Sequence, residues 1–248
     1  MLRMKLIISY DGTRFSGYQI QPNGRTVQGA IEKVLQKMHK GEPIRVTASG
    51  RTDQGVHAVG QVLHFDTTLE IPVDGWKRAL NTMLPEDIEV WHAEKVSDDF
   101  HARFDVKEKE YRYFIWNAVS RDIFKRNYQH HVDQKLNIEA MKIACNYLTG
   151  RHDFTSFCAA NSNVKGDKIR EIHHASIDRE GEQLIFQVRG NGFLYNMVRI
   201  IAGTLIEIGM GKREPEEMKQ IIASKDRANA GHTAPAQGLY LWKVYYKK

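Results

Sequence analysis

Apolar positions along the chain follow two periods, and the changes of period mark its elements. Lys5–Tyr10 is apolar, partly β-branched and ended by Asp11-Gly12, which predicts a first strand. Gly12, Gly17, Pro22 and Gly24 predict a long loop after it. Val27, Ala30, Ile31, Val34, Leu35 and Met38 fall at i, i+3, i+4, i+7, i+8 and i+11, one face of a helix. Thr26 is placed to cap that helix, which runs to about Lys40 and ends at Gly41. Ile44–Ala48 and Val62–Phe65 read as short strands, Trp76–Leu84 as a helix stopped by Pro85, and Ile88–Val96 as a strand. The order β-α-β-β-α-β is that of a split βαβ unit.

The second half repeats the order but not the residues. Tyr111–Asn117 is an aromatic-rich strand, and Asn137 caps a helix running to about Leu148, closed by Gly150. Ile169–Ile177 and Gln183–Arg189 are strands meeting at Glu180-Gly181. A long apolar helix spans about Phe193 to Ile208, and Glu214–Ala223 is another with Pro215 in its first turn. Leu239–Tyr246 is the last strand. The expected class is α+β, in two halves, residues 1–105 and 106–248. Charge density rises between Phe104 and Glu110 without a Gly/Pro linker, so two sheets are expected to meet directly, with a ligand cleft between the halves.

The net charge of +6 and pI of about 9.2 favour a polyanionic partner, whose phosphates Lys and Arg neutralise with counterion release. Cys145 and Cys158 cannot build a disulfide framework and read as reduced thiols. No apolar stretch approaches the roughly 20 residues of a membrane helix, and the N-terminal apolar run is too short for a signal peptide. A soluble, cytoplasmic protein is expected. The histidines form no HExxH and no Cys/His ligand set, and Gly190–Gly192 is not a dinucleotide fingerprint. Asn191 and Gly192, read as the start of the apolar helix, offer N–H groups to an anion.

The densest chemistry lies in Ser49–Ala58, SGRTDQGVHA, where Arg51, Thr52, Asp53 and His57 stand among glycines between two short strands. A guanidinium within ~4–6 Å would keep Asp53 ionised, which suits a nucleophile or base. Arg51 is a candidate for that cation and equally for a phosphate contact. An Arg51–Asp53 pair that only orders a turn explains the same spacing.

The loop resembles the signature of the TruA family of tRNA pseudouridine synthases, in which the Asp of a GRTDxGVHA run is the catalytic nucleophile. Five further blocks resemble that family in order: YDGTRFSGYQIQ with TVQ, KEYRYFIWN, GRHDFTSFC, NGFLYNMVRIIAGTLIEIG and HTAPAQGLYLWKVYY. The resemblance implies a pseudouridine synthase fold of two ferredoxin-like, RRM-like halves sharing a mostly antiparallel sheet. It implies isomerisation of uridine at positions 38, 39 and 40 of the tRNA anticodon stem-loop by a homodimer. Asp53 is then the nucleophile and Tyr111 the ring that contacts the target nucleotide. Arg199 lies among Met197, Val198, Ile200 and Ile201, where an ionised group needs a partner; the resemblance places it near Asp53. Of Arg51, His57, Arg14, Arg25, Arg103 and His101, some are expected at phosphates or in the stem; for His57 a structural hydrogen bond fits as well as an RNA contact. No metal, redox group or small-molecule cofactor is needed.

Modifying three neighbouring positions argues for recognition of shape and backbone. Basic residues suited to it run from Lys107 to Arg126 and from Arg151 to Arg170, Lys165 among them. Three other readings remain. A silent RNA-binding module explains the charge but not the carboxylate loop. An RNA N-glycosidase would use the same carboxylate and stop once C1′–N1 is cleaved. A metal-dependent nuclease needs several clustered carboxylates, and the loop holds only Asp53.

Overall fold

The computed structural model describes residues 1–159 and 166–247; Lys165 lies outside them. The chain forms two compact units, Met1–Lys107 with Tyr240–Lys248, and Glu108–Leu239.

In the first unit, β1 (Leu2–Tyr10) turns Met4, Leu6, Ile8 and Tyr10 inward, the period-two pattern of a strand with one covered face. Helix α1 (Val27–Met38) buries Val27, Ile31, Val34 and Leu35, and Thr26 Oγ1 accepts the Gly29 N–H at 3.3 Å. The short β2 (Thr47–Ala48) leads into β3 (His57–Thr67), followed by α2 (Val73–Met83) and β4 (Ile88–Val96). β1 pairs antiparallel with both β3 and β4. The closing strand of the chain, Leu239–Tyr246, pairs parallel with β3 through Tyr240–His57 and Leu241–Ala58. β3 is thus central and mostly buried, with polar Gln61, His64 and Thr67 among its buried residues. Trp76 of α2 is fully buried with its ring edge-to-face on Phe65, centroids 5.3 Å apart. Arg3 spans the β1–β3 pair with two bonds to Asp66, at 2.7 and 2.8 Å.

The second unit holds β5 (Val106–Trp116), β6 (His130–His131), α3 (Ile138–Asn146), β7 (Gly150–Asp153), β8 (Ile169–Glu180), β9 (Gln183–Gly190), α4 (Met197–Gly209) and α5 (Glu217–Ser224). Its antiparallel strands run in the order β5-β9-β8-β7, with β6 parallel to β5. The β8–β9 turn places Gly181 at φ 62°, the conformation a tight hairpin demands. Asn137 caps α3 by accepting the Ala140 N–H at 3.1 Å. In α4 every residue but Arg199 and Glu207 is buried. Both cysteines are buried and free, and burial pushes the Cys145 thiol up to about 12.

The architecture is α+β, but several boundaries differ from the sequence reading. The apolar helix begins at Met197, because Asn196 takes a left-handed φ of 59° just before it. Asn191 and Gly192 therefore do not head a helix, and Asn191 ties β9 to β8 through two 3.0 Å bonds with Glu171. Pro215 sits in the turn before α5. Residues 240–248 join the first unit, whereas the sequence division kept them with the second half. Among the described residues no helix is long and apolar enough to cross a membrane.

His64 is buried, and its Nδ1 accepts the Ala102 N–H at 3.1 Å, which only an unprotonated nitrogen can do. Burial lowers its pKa from 6.5 to about 4, and burial lowers His130 likewise to about 4. The unfolded chain protonates both near 6.5, so the stability they contribute is complete above that value and is lost as pH falls towards 4. The urea midpoint should drop between about pH 7 and about pH 4.5. A constant midpoint across that window would contradict buried neutral histidines.

Candidate active site

Residues Ser49–Val56 connect β2 to β3, and both sides of the loop are tied down. The Ser49 N–H donates to Val62 O at 2.8 Å and Ser49 Oγ to Gln61 Oε1 at 2.7 Å. Gln61 Nε2 then donates to Gly50 O at 2.9 Å, so a buried amide inside β3 anchors the loop's entry. Thr52 is the centre of the hold. Its Oγ1 pairs with the Tyr10 hydroxyl at 2.7 Å in the buried interior, and its carbonyl accepts the Tyr18 N–H at 3.0 Å. Burial pushes the Tyr10 phenol up to about 12, so it stays protonated for that bond. The Asp53 carbonyl accepts the Val56 N–H at 3.1 Å, closing a turn in which Gly55 takes φ 76°.

The segment after β1 wraps this loop at backbone distance. A Cβ on Gly12 would run into the Val56 carbonyl, and one on Gly17, at φ 100°, would lie 3.1 Å from the Thr52 carbonyl oxygen. Gly12 is required by close approach, and Gly17 by its left-handed backbone beside the Thr52 carbonyl. The outcome is a half-buried Asp53 between exposed Arg51 and Gln54, on a backbone fixed immediately before and after it. Such fixing lowers the ordering cost of any chemistry that the Asp53 side chain takes part in.

The other first-unit candidates separate clearly. Arg51, a candidate cation for Asp53 or contact for phosphate, is exposed. His57 makes the structural hydrogen bond that was one of its two sequence readings. It is 2% exposed, its ring stacks on Tyr240 at 4.6 Å, and its Nδ1 accepts the Gly12 N–H at 3.0 Å. That bond leaves Nδ1 unprotonated, so the Asp11 oxygen 3.2 Å away gains no hydrogen from it. His57 thus ties the start of β3 to Gly12 and Tyr240. Arg25 lies over the Phe15 ring at 4.1 Å and grips Asp87 with two bonds, at 2.6 and 2.7 Å. Arg14 bonds Glu86 at 2.7 Å and approaches Asp87 to 3.4 Å. The Arg25 guanidinium holds the Asp87 carboxyl below its usual range. Arg103 is exposed beside Phe104, whose ring stacks on His101 at 4.1 Å.

In the second unit Tyr111 sits on β5 opposite Val188, its ring edge-to-face with Phe193 at 5.1 Å. It is 9% exposed, more core-like than a surface stacking ring. Arg199 projects from α4 with its Nε donating to Ala234 O at 2.7 Å and Nη1 to Asn196 Oδ1 at 3.0 Å. Sequence reasoning missed Tyr10, Gln61 and Asp87. Each is a polar group in an inward or turn position, and its role depends on partners far along the chain.

A family model described as tRNA pseudouridine synthase matches residues 6–105 and 144–247, which include the Asp53 loop and the Arg199 helix. The chain belongs to the tRNA pseudouridine synthase family. Similar members are named tRNA pseudouridine synthase A. That of Oceanobacillus iheyensis is 54% identical over 248 residues, 100% of this chain and 98% of that protein. That of Halalkalibacterium halodurans is 58% identical over 239 residues, 96% of this chain and 90% of its own. That of Bacillus subtilis is 53% identical over 246 residues, 99% of each. A chain in a solved Cbf5-Nop10-Gar1 complex aligns at 13% identity and a TM-score of 0.34, over 98% of this chain and 59% of that one, too remote to inform fold or function.

Membership in the tRNA pseudouridine synthase family makes the chain an isomerase. For a synthase that depends on a fixed loop, Gly12→Ala should be costly. The added methyl pushes against backbone, so a loss of about 1–3 kcal/mol in urea unfolding is expected, with a fall in turnover. A Gly12→Ala protein with wild-type stability and rate would show that the loop tolerates displacement.

Proposed function

We infer that this chain converts uridine to pseudouridine in tRNA, with Asp53 as the nucleophile. The observation that carries this is the half-buried Asp53 carboxylate on a backbone held at Thr52 by a buried hydroxyl pair and a backbone hydrogen bond. Isomerisation breaks N1–C1′, turns the freed uracil, forms C5–C1′, releases the C5 proton and puts a proton from solvent on N1. A carboxylate that attacks C1′ or C6 makes and then breaks one bond to the nucleotide, so the RNA keeps its mass and no cofactor is consumed. A rigid carboxylate suits this chemistry, since the detached base must be recaptured before it escapes.

The substrates in this reading are positions 38, 39 and 40 of the anticodon stem-loop, and the chain acts as a homodimer in the cytoplasm. The target uridine is turned out of its helix at a cost of a few kcal/mol. Tyr111 supplies an aromatic face for the base, an interaction of about 1–3 kcal/mol. Arg199 supplies a fixed guanidinium towards the same nucleotide. Exposed Arg51 and Arg103 take phosphates, joined by the outward sides of Arg14 and Arg25. The net charge of +6 favours that partner.

Transfer RNA carrying tritium at uracil C5 tests the reading. Wild-type protein should release tritium and leave RNA of unchanged mass, and Asp53→Asn should release it at least about a thousandfold more slowly. Release by the mutant at the wild-type rate removes Asp53 from the reaction, and an abasic product would make the protein a glycosidase.

A further inference from the structure

In the second unit, residues Gly231–Pro235 run as a strap along α4, bonded to one face of it. The Gly231 N–H donates to Thr204 Oγ1 at 2.9 Å. The His232 N–H donates to Glu207 Oε1 at 3.0 Å, and His232 Nδ1 lies 3.0 Å from the same oxygen. The Ala234 N–H donates to Arg199 O at 3.1 Å, and Arg199 Nε donates back to Ala234 O at 2.7 Å. Arg199, Gly203, Thr204 and Glu207 lie at i, i+4, i+5 and i+8, a single stripe of the helix. Gly203 admits the strap, because a Cβ there would run into the His232 carbonyl. Glu207 is locked in turn by Arg213 Nε at 2.7 Å. Burial alone would raise the Glu207 carboxyl, but the bonds from His232 and Arg213 outweigh it and hold the group below its usual range.

The strap is also tied from the sheet. The Tyr113 hydroxyl donates to Pro235 O at 2.8 Å, two residues from Tyr111 on β5 and on the same strand face. An arginine side chain has several free torsions, so a guanidinium needs fixed acceptors to point one way. Here Ala234 O and Asn196 Oδ1 provide them, and the Ala234 carbonyl is only as fixed as the strap.

We propose that the Gly231–Pro235 strap aims the Arg199 guanidinium, with Thr204, Glu207 and Tyr113 as positioning residues that act on the reaction through Arg199. This rests on the reading that Arg199 serves the target nucleotide. Thr204 and Glu207 then contribute to turnover without touching RNA.

The test compares kcat and KM for tRNA in Thr204→Val, Glu207→Gln, Tyr113→Phe and Thr204→Ser, each assayed well below its own melting temperature. The first three should lose about ten- to a hundredfold in kcat with KM within about twofold, and Thr204→Ser should restore the rate. Tyr113→Phe keeps the ring in the core and removes only the Pro235 bond, so it reads the strap if the α4 variants do not fold. Adding Thr204→Val to Arg199→Lys should cost little beyond Arg199→Lys alone, since both act through one guanidinium. Losses that multiply in that double variant overturn the proposal. So does an inactive Arg199→Ala beside strap variants of wild-type kcat. Wild-type turnover by Arg199→Ala instead removes the underlying reading of Arg199, and the strap's role with it.

Discussion

The buried pair between the Tyr10 hydroxyl and Thr52 Oγ1, 2.7 Å apart, is the constraint on which the placement of the Asp53 loop depends. It joins the end of β1 to the residue before Asp53. Leaving either hydroxyl unpaired in the interior would cost about 1–3 kcal/mol, so the pair is strongly preferred once the strand is buried. The Tyr18 amide and the close passage of Gly12 and Gly17 then leave the loop almost no room to move. The fold therefore fixes the backbone that carries the Asp53 side chain.

The charged residues around this loop divide between bracing and exposure. Arg25 is committed to Asp87 and to the Phe15 ring, and Arg14 to Glu86, so their order comes from protein contacts. Arg51 stands exposed two residues before Asp53. In the second unit the same economy holds Arg199, whose described bonds go to a backbone carbonyl and an amide side chain. Neutral acceptors orient a guanidinium without cancelling its charge.

Much of the local structure was legible in the sequence. The stripe from Val27 to Met38, the Thr26 and Asn137 caps and the closing strand follow from periodicity and capping chemistry. The full length of β3 was not, because His57, Gly60 and Gln61 interrupt its apolar pattern while lying inside the sheet. Their burial is made tolerable by bonds to residues such as Gly12, Ser49 and Gly50 that local pattern cannot reveal. β6 and β7, two and four residues long, are too short for any period. The start of α4 was displaced because Phe193 and Leu194 continue an apolar run across the left-handed Asn196. The carboxylate loop stood out through its resemblance to a known signature. The residues that hold it did not, since Tyr10 and Thr52 are 42 positions apart. For His57 local pattern fits a structural hydrogen bond and an RNA contact alike, because its partner Gly12 lies 45 positions away.

A double-mutant cycle at the Tyr10–Thr52 pair tests most directly whether a prefixed carboxylate drives turnover. Tyr10→Phe and Thr52→Val remove one hydroxyl each and alter little else in shape. The account predicts that each lowers kcat/KM for tRNA by about tenfold or more, and that the double variant is no slower than the worse single one. Single variants at the wild-type rate, or losses that simply multiply, would contradict it.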